Sequence, residues 1–141
     1  DPHVGSFGVL ALVLAILGKY AALSGLSGRA RSLAILGASA SSRALILVAA
    51  GLAPYARREG TGRPLVEATT PRDALGAAVL VLALGPAFAR LPGLVASGAV
   101  LGLAWALTRL ADRRIGGITG DILGALVEMG ELTFLVVLAL T

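Results

Sequence analysis

The chain of 141 residues is 57% hydrophobic and 14% charged, against about 25% charged in soluble domains, so its apolar runs read as membrane spans and leave no room for a separate soluble domain. With no cysteine and one histidine, His3, it has no disulfides, no thiolate metal site and no histidine-built zinc centre. The net charge of +4 is carried almost wholly by arginine, eleven of twelve basic residues, and the aromatics number six; this favours membrane loops and phosphate partners over nucleic-acid binding.

The composition predicts an all-α, polytopic integral membrane bundle of about five spans, forming one membrane domain over residues 1–141. After a polar lead-in, the first apolar segment covers residues 7–26, with Lys19 deep inside it. A short loop at 27–32 carries Arg29 and Arg31. The second segment, 33–53, is interrupted by Ser39, Ser41, Ser42 and Arg43; serines permit close interhelical contact, and a mid-depth arginine needs a partner. Residues 54–73 form the longest polar stretch, with Arg57, Arg58 and Arg63 among glycines. Thr70-Pro71-Arg72-Asp73 then has the form of a helix start: an N-cap, a proline in the first helical position and an acid in the third. The third helix is expected over 74–89, a tight turn at Arg90 and Pro92, and the fourth helix over 94–108, where Trp105 suits an interface anchor. A second basic loop at 109–120 precedes the fifth helix, 121–140. Five spans put the loops at 54–73 and 109–120 on one side with seven arginines against three on the other, and so in the cytoplasm.

The densest polar run is Arg113–Glu131. Gly116, Gly117 and Gly120 allow close backbone approach to a ligand, Thr119 suits the N-cap of the fifth helix, and Asp121 falls in its first turn. A carboxylate placed among arginines and glycines is suited to a Mg²⁺ ion on a phosphate; a plain helix cap is the alternative. The run is neither a Walker A loop nor a dinucleotide fingerprint. On the helix that follows, Glu128 lies about 20° and Glu131 about 80° from Asp121, and Glu131 sits about 15 Å further into the membrane. An acid at that depth is costly alone, so Glu128 or Glu131 is expected to pair with Lys19 or Arg43. Such pairs are either interhelical glue or the lining of a polar cavity. Arginine forks in the 57–63 loop suit a diphosphate, or serve only to hold the loop in the cytoplasm.

Two motifs carry a family resemblance. Asp1-Pro2-His3-Val4-Gly5-Ser6-Phe7-Gly8-Val9-Leu10-Ala11-Leu12 resembles the DxxxGxFGVLAL segment of the cobalamin synthase family, the adenosylcobinamide-GDP ribazoletransferases. Arg114-Ile115-Gly116-Gly117-Ile118-Thr119-Gly120-Asp121, followed by Gly124, Glu128 and Glu131, resembles its RxGGxTGDxxGAxxExxE signature. Ser42-Arg43 and Pro54-Tyr55-Ala56-Arg57, with Gly60 and Gly62, are similar to its middle. His3 stands where many relatives have arginine. The family's preceding membrane region, with its aspartate-rich metal motif, has no counterpart here, so the chain is expected to be the C-terminal part of a longer protein, and by itself inactive.

The resemblance implies a late step of cobalamin biosynthesis. A hydroxyl of α-ribazole, or of its 5′-phosphate, attacks adenosylcobinamide-GDP and GMP leaves, in the inner membrane of a bacterium with the site facing the cytoplasm. Asp1 and Asp121 would hold Mg²⁺; Arg57, Arg63 and Arg114, with Gly116, Gly117, Thr119 and Gly120, would bind the phosphates. Asp121 and Glu128 are the catalytic candidates. The alternatives are another membrane nucleotide-diphosphate transferase, or a transporter or channel subunit whose path is lined by Lys19, Arg43, Glu128 and Glu131. The lipid bilayer is a partner in every reading, nucleic acid in none, and the abundant Ala and Gly are compatible with a homo-oligomer.

Overall fold

The computed structural model describes residues 5–141, with backbone alone at Phe7. The elements are α1 (Ser6–Ser24), α2 (Gly28–Ala50), α3 (Arg63–Ala68), α4 (Pro71–Ile115) and α5 (Gly120–Leu140). Among the described residues no strand forms, and α2, α4 and α5 are long and apolar enough to cross a membrane. The described apolar part of α1, Gly8–Ser24, is shorter. Large apolar side chains such as Leu10, Leu14 and Leu17 on α1 and Leu75, Leu82 and Leu91 on α4 point out of the bundle. Water would penalise such a surface and hydrocarbon does not.

Although α4 spans 45 residues, it is two helical arms joined at a break. Ala89 and Arg90 leave the helical region, and Arg90 takes φ 51, ψ −132, a conformation suited to glycine. The chain folds back there. Ser97 Oγ donates to the Val81 carbonyl at 2.8 Å, where a straight helix would hold these residues about 24 Å apart. The two arms, 71–88 and 91–115, press together at Gly85 and Gly93, where a Cβ on either would collide with the backbone of the other. The arms are about 27 Å and 37 Å long, so α4 provides two apolar rods, as the turn at Arg90 and Pro92 predicts.

The core is built on small residues. Ala34, Ala38, Leu45 and Ala49 on α2 face inward at intervals of four and seven, as do Ala96, Val100 and Ala104 on the second arm of α4. Without a hydrophobic driving force between helices in lipid, close backbone approach is what holds them. α2 is central and packs on both α4 and α5. Gly51 lies against Ala74 and Gly37 against Phe88, so α2 and the first arm run antiparallel; Gly130 against Ser42 and Leu45, with Phe134 against Gly37, gives α5 the same relation to α2. The end of α2, both ends of α4 and the start of α5 therefore gather at one end of the bundle. α1 packs mainly on α5, with Gly18 against Leu132.

The sequence expectations need four adjustments. The helix start at Pro71 is as read, with a capping box in which the Asp73 amide donates to Thr70 Oγ1 at 3.3 Å and the Thr70 amide donates to Asp73 Oδ2 at 2.8 Å. α2 begins five residues early, at Gly28, because arginine propagates a helix well; the Arg31 guanidinium donates back to the Leu26 carbonyl at 2.8 Å. α2 ends early, at Ala50 and not at residue 53. A short helix, α3, lies inside the stretch expected to be loop, with Pro64 in its first turn. The second basic loop shrinks to 116–119, since α4 carries its arginines as far as Ile115.

Strain at Arg90 and close contact at Gly93 act in opposite directions on stability. Arg90→Gly is expected to stabilise the detergent-solubilised protein against thermal unfolding by about 1 kcal/mol. Gly93→Val is expected to destabilise it by about 1–3 kcal/mol, since neither arm can move away without leaving α2. Equal melting temperatures for both variants would contradict the hairpin.

Candidate functional site

The gathered end of the bundle is tied by backbone. The Ala56 amide donates to the Ile118 carbonyl and the Ile118 amide donates to the Pro54 carbonyl, each at 2.8 Å, in a parallel bridge between Tyr55 and Ile118. Ile118 is fully buried beneath it. Two glycines make the approach possible. Gly116 ends α4 in the left-handed region at φ 75, its amide bonded to the Asp112 carbonyl. Gly117, at φ 148, leaves no space for a Cβ beside the Pro54 carbonyl.

Thr119 then caps α5, its Oγ1 accepting from the Ile122 amide at 3.4 Å. The Tyr55 hydroxyl accepts from the Gly120 amide at 3.3 Å, so the loop after α2 satisfies one of the first donors of α5. Gly60 and Gly62 lie against the Tyr55 ring. Asp121 follows in the first turn, and Arg57 Nη2 reaches its Oδ2 at 3.2 Å. Both groups are more than half exposed, and a pair of that kind contributes little to stability, about 0–1 kcal/mol. The clasp holds the loops together; the pair is left open to a ligand.

Beside the clasp lies a cleft of about 660 Å³ bordered by Pro54, Tyr55, Arg57, Arg58, Arg63 and Glu67. Three guanidiniums there face one carboxylate. Arg63 is held by Glu67, Nε to Oε1 at 2.6 Å, and by the Arg58 carbonyl, so its donors are fixed in place. The structure thus brings Arg57, Arg63, Gly117, Thr119, Gly120 and Asp121 to one end of the bundle. Arg58, another of the loop arginines, joins them, and so do Tyr55 and Glu67, to which the sequence assigned no role. The signal for Tyr55 was the pair of glycines at 60 and 62, which leave room for its ring.

Arg114 is not in this cleft. It borders a separate groove between α4 and α5 with Leu107, Leu110, Ile122 and Met129. The expected metal ligand Asp1, like His3, lies outside the described residues. Among the described residues no three or more His, Cys, Asp or Glu side chains come together in a way that could hold a metal ion. Asp121 with its arginine partner is one carboxylate, so these residues alone do not fit a complete Mg²⁺ site.

Glu128 is not at the cleft either. Deeper in the bundle, Lys19 Nζ bonds Glu128 Oε2 and Glu131 Oε2, each at 2.7 Å, and Arg43 Nη1 bonds Glu131 Oε1 at 2.9 Å. Ser39 Oγ also donates to Glu131 Oε1, at 3.2 Å. The pairing expected from depth alone is present, and both cations share Glu131. Four charges that would line a translocation path are instead bound to one another across α1, α2 and α5.

A family model described as Cobalamin-5-phosphate synthase matches residues 1–139. The adenosylcobinamide-GDP ribazoletransferase of Bradyrhizobium diazoefficiens is 39% identical over 145 residues, covering 99% of this chain and 54% of that protein. The proteins of the same name from Pseudomonas putida and Azorhizobium caulinodans are 40% and 34% identical, with 99% and 96% of this chain covered. The chain spans about half the length of the curated relatives it matches. No solved structure matches.

Unequal wiring orders the effects of neutralising the two glutamates. Glu131 accepts from Lys19, Arg43 and Ser39, whereas Glu128 shares Lys19 alone. Glu131→Gln is therefore expected to cost about 1–3 kcal/mol in thermal unfolding, and Glu128→Gln under half as much. The reversals Arg43→Glu and Glu131→Arg should each lower the yield of folded protein, and their combination should recover part of it. A double reversal no better than either single would contradict a pairing of Arg43 with Glu131.

Proposed function

The chain belongs to the cobalamin-5-phosphate synthase family, and we propose from this that it forms one wall of a membrane transferase joining adenosylcobinamide-GDP to α-ribazole or its 5′-phosphate. The observation that carries the reading is the clasp of Pro54–Ala56 on Ile118, which sets the Arg57–Asp121 pair beside a cleft with three arginines. Forked guanidiniums are suited to the diphosphate of a nucleoside-diphosphate-linked substrate. In the reaction the ribazole hydroxyl forms a new P–O bond to the phosphorus on the cobinamide side. The P–O–P linkage breaks, GMP leaves with the bonding pair, and the hydroxyl proton is released.

In this reading Arg57 and Arg63 bind the phosphates and oppose the negative charge that grows on departing GMP. Arg58 borders the same cleft and adds to its positive field. Gly116, Gly117, Thr119 and Gly120 fix the loop under Asp121, with Tyr55 as its brace. Mg²⁺, whose chemistry would be to neutralise the diphosphate, is proposed to take one carboxylate from Asp121. Glu128 is assigned to holding helices together. The arginine excess at the clasp end, seven against three, supports a cytoplasmic face in a bacterial inner membrane.

The test is GMP release from adenosylcobinamide-GDP and α-ribazole by membranes containing the full-length protein, with and without Mg²⁺. Arg57→Ala is expected to lower the rate about 10–100-fold and Arg57→Lys less, since a point charge replaces a fork. Asp121→Ala should abolish Mg²⁺-dependent release while Glu128→Gln keeps most of it. Full activity in Asp121→Ala would sink the metal assignment, and full activity in Arg57→Ala the cleft.

A further inference from the structure

We propose that the groove between α4 and α5 is a binding site for one acyl chain of an anionic phospholipid, with Arg114 on the lipid phosphate. The groove has a volume of about 310 Å³ and is bordered by Leu107, Leu110, Ile115, Ile122, Ala125 and Met129, with Arg114 the sole charged side chain in its lining. It is an open lateral groove: Leu110, Ile115 and Met129 are all exposed. From Arg114 down to Leu107 it follows α4 for about 10 Å, and from Ile122 to Met129 it follows α5 for about the same length. That is most of the ~15 Å of hydrocarbon in one leaflet.

The charge is at the correct end for such a ligand. Arg109, Arg113 and Arg114 occupy the last two turns of α4, at the end of the bundle where the clasp lies. Arg109 and Arg113, with Trp105, border a smaller groove on the other side of Leu110, so cationic charge surrounds the helix end. Guanidiniums at this level attract anionic headgroups, each worth about a fivefold gain in lipid affinity. Of these two grooves, the one between α4 and α5 has apolar walls on both sides to receive a chain. The competing occupant is the second substrate, a phosphorylated apolar nucleoside. It fits less well, because its ribose hydroxyls would meet only hydrocarbon, and unpaired polar groups are costly there. The lipid site does not rest on the transferase reading.

The experiment uses the full-length protein in phosphatidylcholine vesicles, with a photoactivatable phosphatidylglycerol carrying a diazirine midway along one acyl chain as the probe. Labelling is expected on residues 107–115 and 122–129, displaced by unlabelled phosphatidylglycerol and not by added phosphatidylcholine. Arg114→Gln should reduce it about fivefold, and Arg114→Lys should restore part of the loss. Met129→Trp, which fills the groove without changing charge, should reduce it as well, with folding verified by an unchanged melting temperature. Labelling spread evenly over the outward faces of α1, α4 and α5, or equal displacement by phosphatidylcholine, would overturn the site. So would protection of these residues by α-ribazole 5′-phosphate but not by phosphatidylglycerol, which would give the groove to the substrate.

Discussion

Two backbone hydrogen bonds, from Ala56 to Ile118 and from Ile118 to Pro54, hold the functional end of this bundle in register. They join the loop that leaves α2 to the loop that enters α5, segments about sixty residues apart in the chain. The polar contacts between the two loops depend on them. They bury Ile118, bring the Tyr55 hydroxyl to the first amide of α5, and set Arg57 within 3.2 Å of Asp121. Backbone pairing suits this task better than the ion pair does, because it is short, directional and backed by a buried side chain, whereas an exposed pair is weakened by solvent. The Arg57–Asp121 pair can thus open without the loops coming apart.

The clasp in turn requires the reversal within α4. Without the turn at Arg90, the loop before α5 would emerge at the opposite end from the loop after α2. The reversal is held by contacts in which bulk is missing: Gly85 on Gly93, and Ser97 on the Val81 carbonyl. Strain at Arg90 persists because both arms are fixed by their packing, which is how an unfavourable φ survives in a folded chain. The same use of small residues recurs where α5 meets α2 at Gly130 and where Phe134 fills the space over Gly37.

Charge is used in two different ways along α5. At its first turn Asp121 is exposed and lightly held. About two and three turns further on, Glu128 and Glu131 are joined to Lys19 and Arg43, which with the contact of Gly18 on Leu132 anchors α1 to the bundle. In hydrocarbon this neutralisation is what allows four ionised side chains to remain at depth. The two acids of the signature that follow Asp121 therefore tie α5 to α1 and α2, while the first lies at the loop face.

Composition alone determined that this chain is a membrane bundle, because so many apolar residues have no other solvent to face. Local chemistry determined the Thr70 cap, the Thr119 cap, the turn at Arg90 and the need of Glu131 for a cation, since each follows from neighbours in sequence or from depth. The two end motifs and the middle segment also pointed to the family. Apart from the pairing of Glu131 with Lys19 and Arg43, what sequence did not disclose was how distant segments meet. Tyr55 became a brace only because Gly60 and Gly62 clear its ring and Gly120 offers an amide. Arg63 and Arg58 came to one cleft because a short helix, α3, formed where polar composition implied loop. Arg114 adjoins the glycine loop in sequence yet faces an apolar groove, because the last turn of α4 stays helical and points it towards α5. Periodicity fixes which residues share a face of one helix; which face meets which neighbour is decided only when the helices pack.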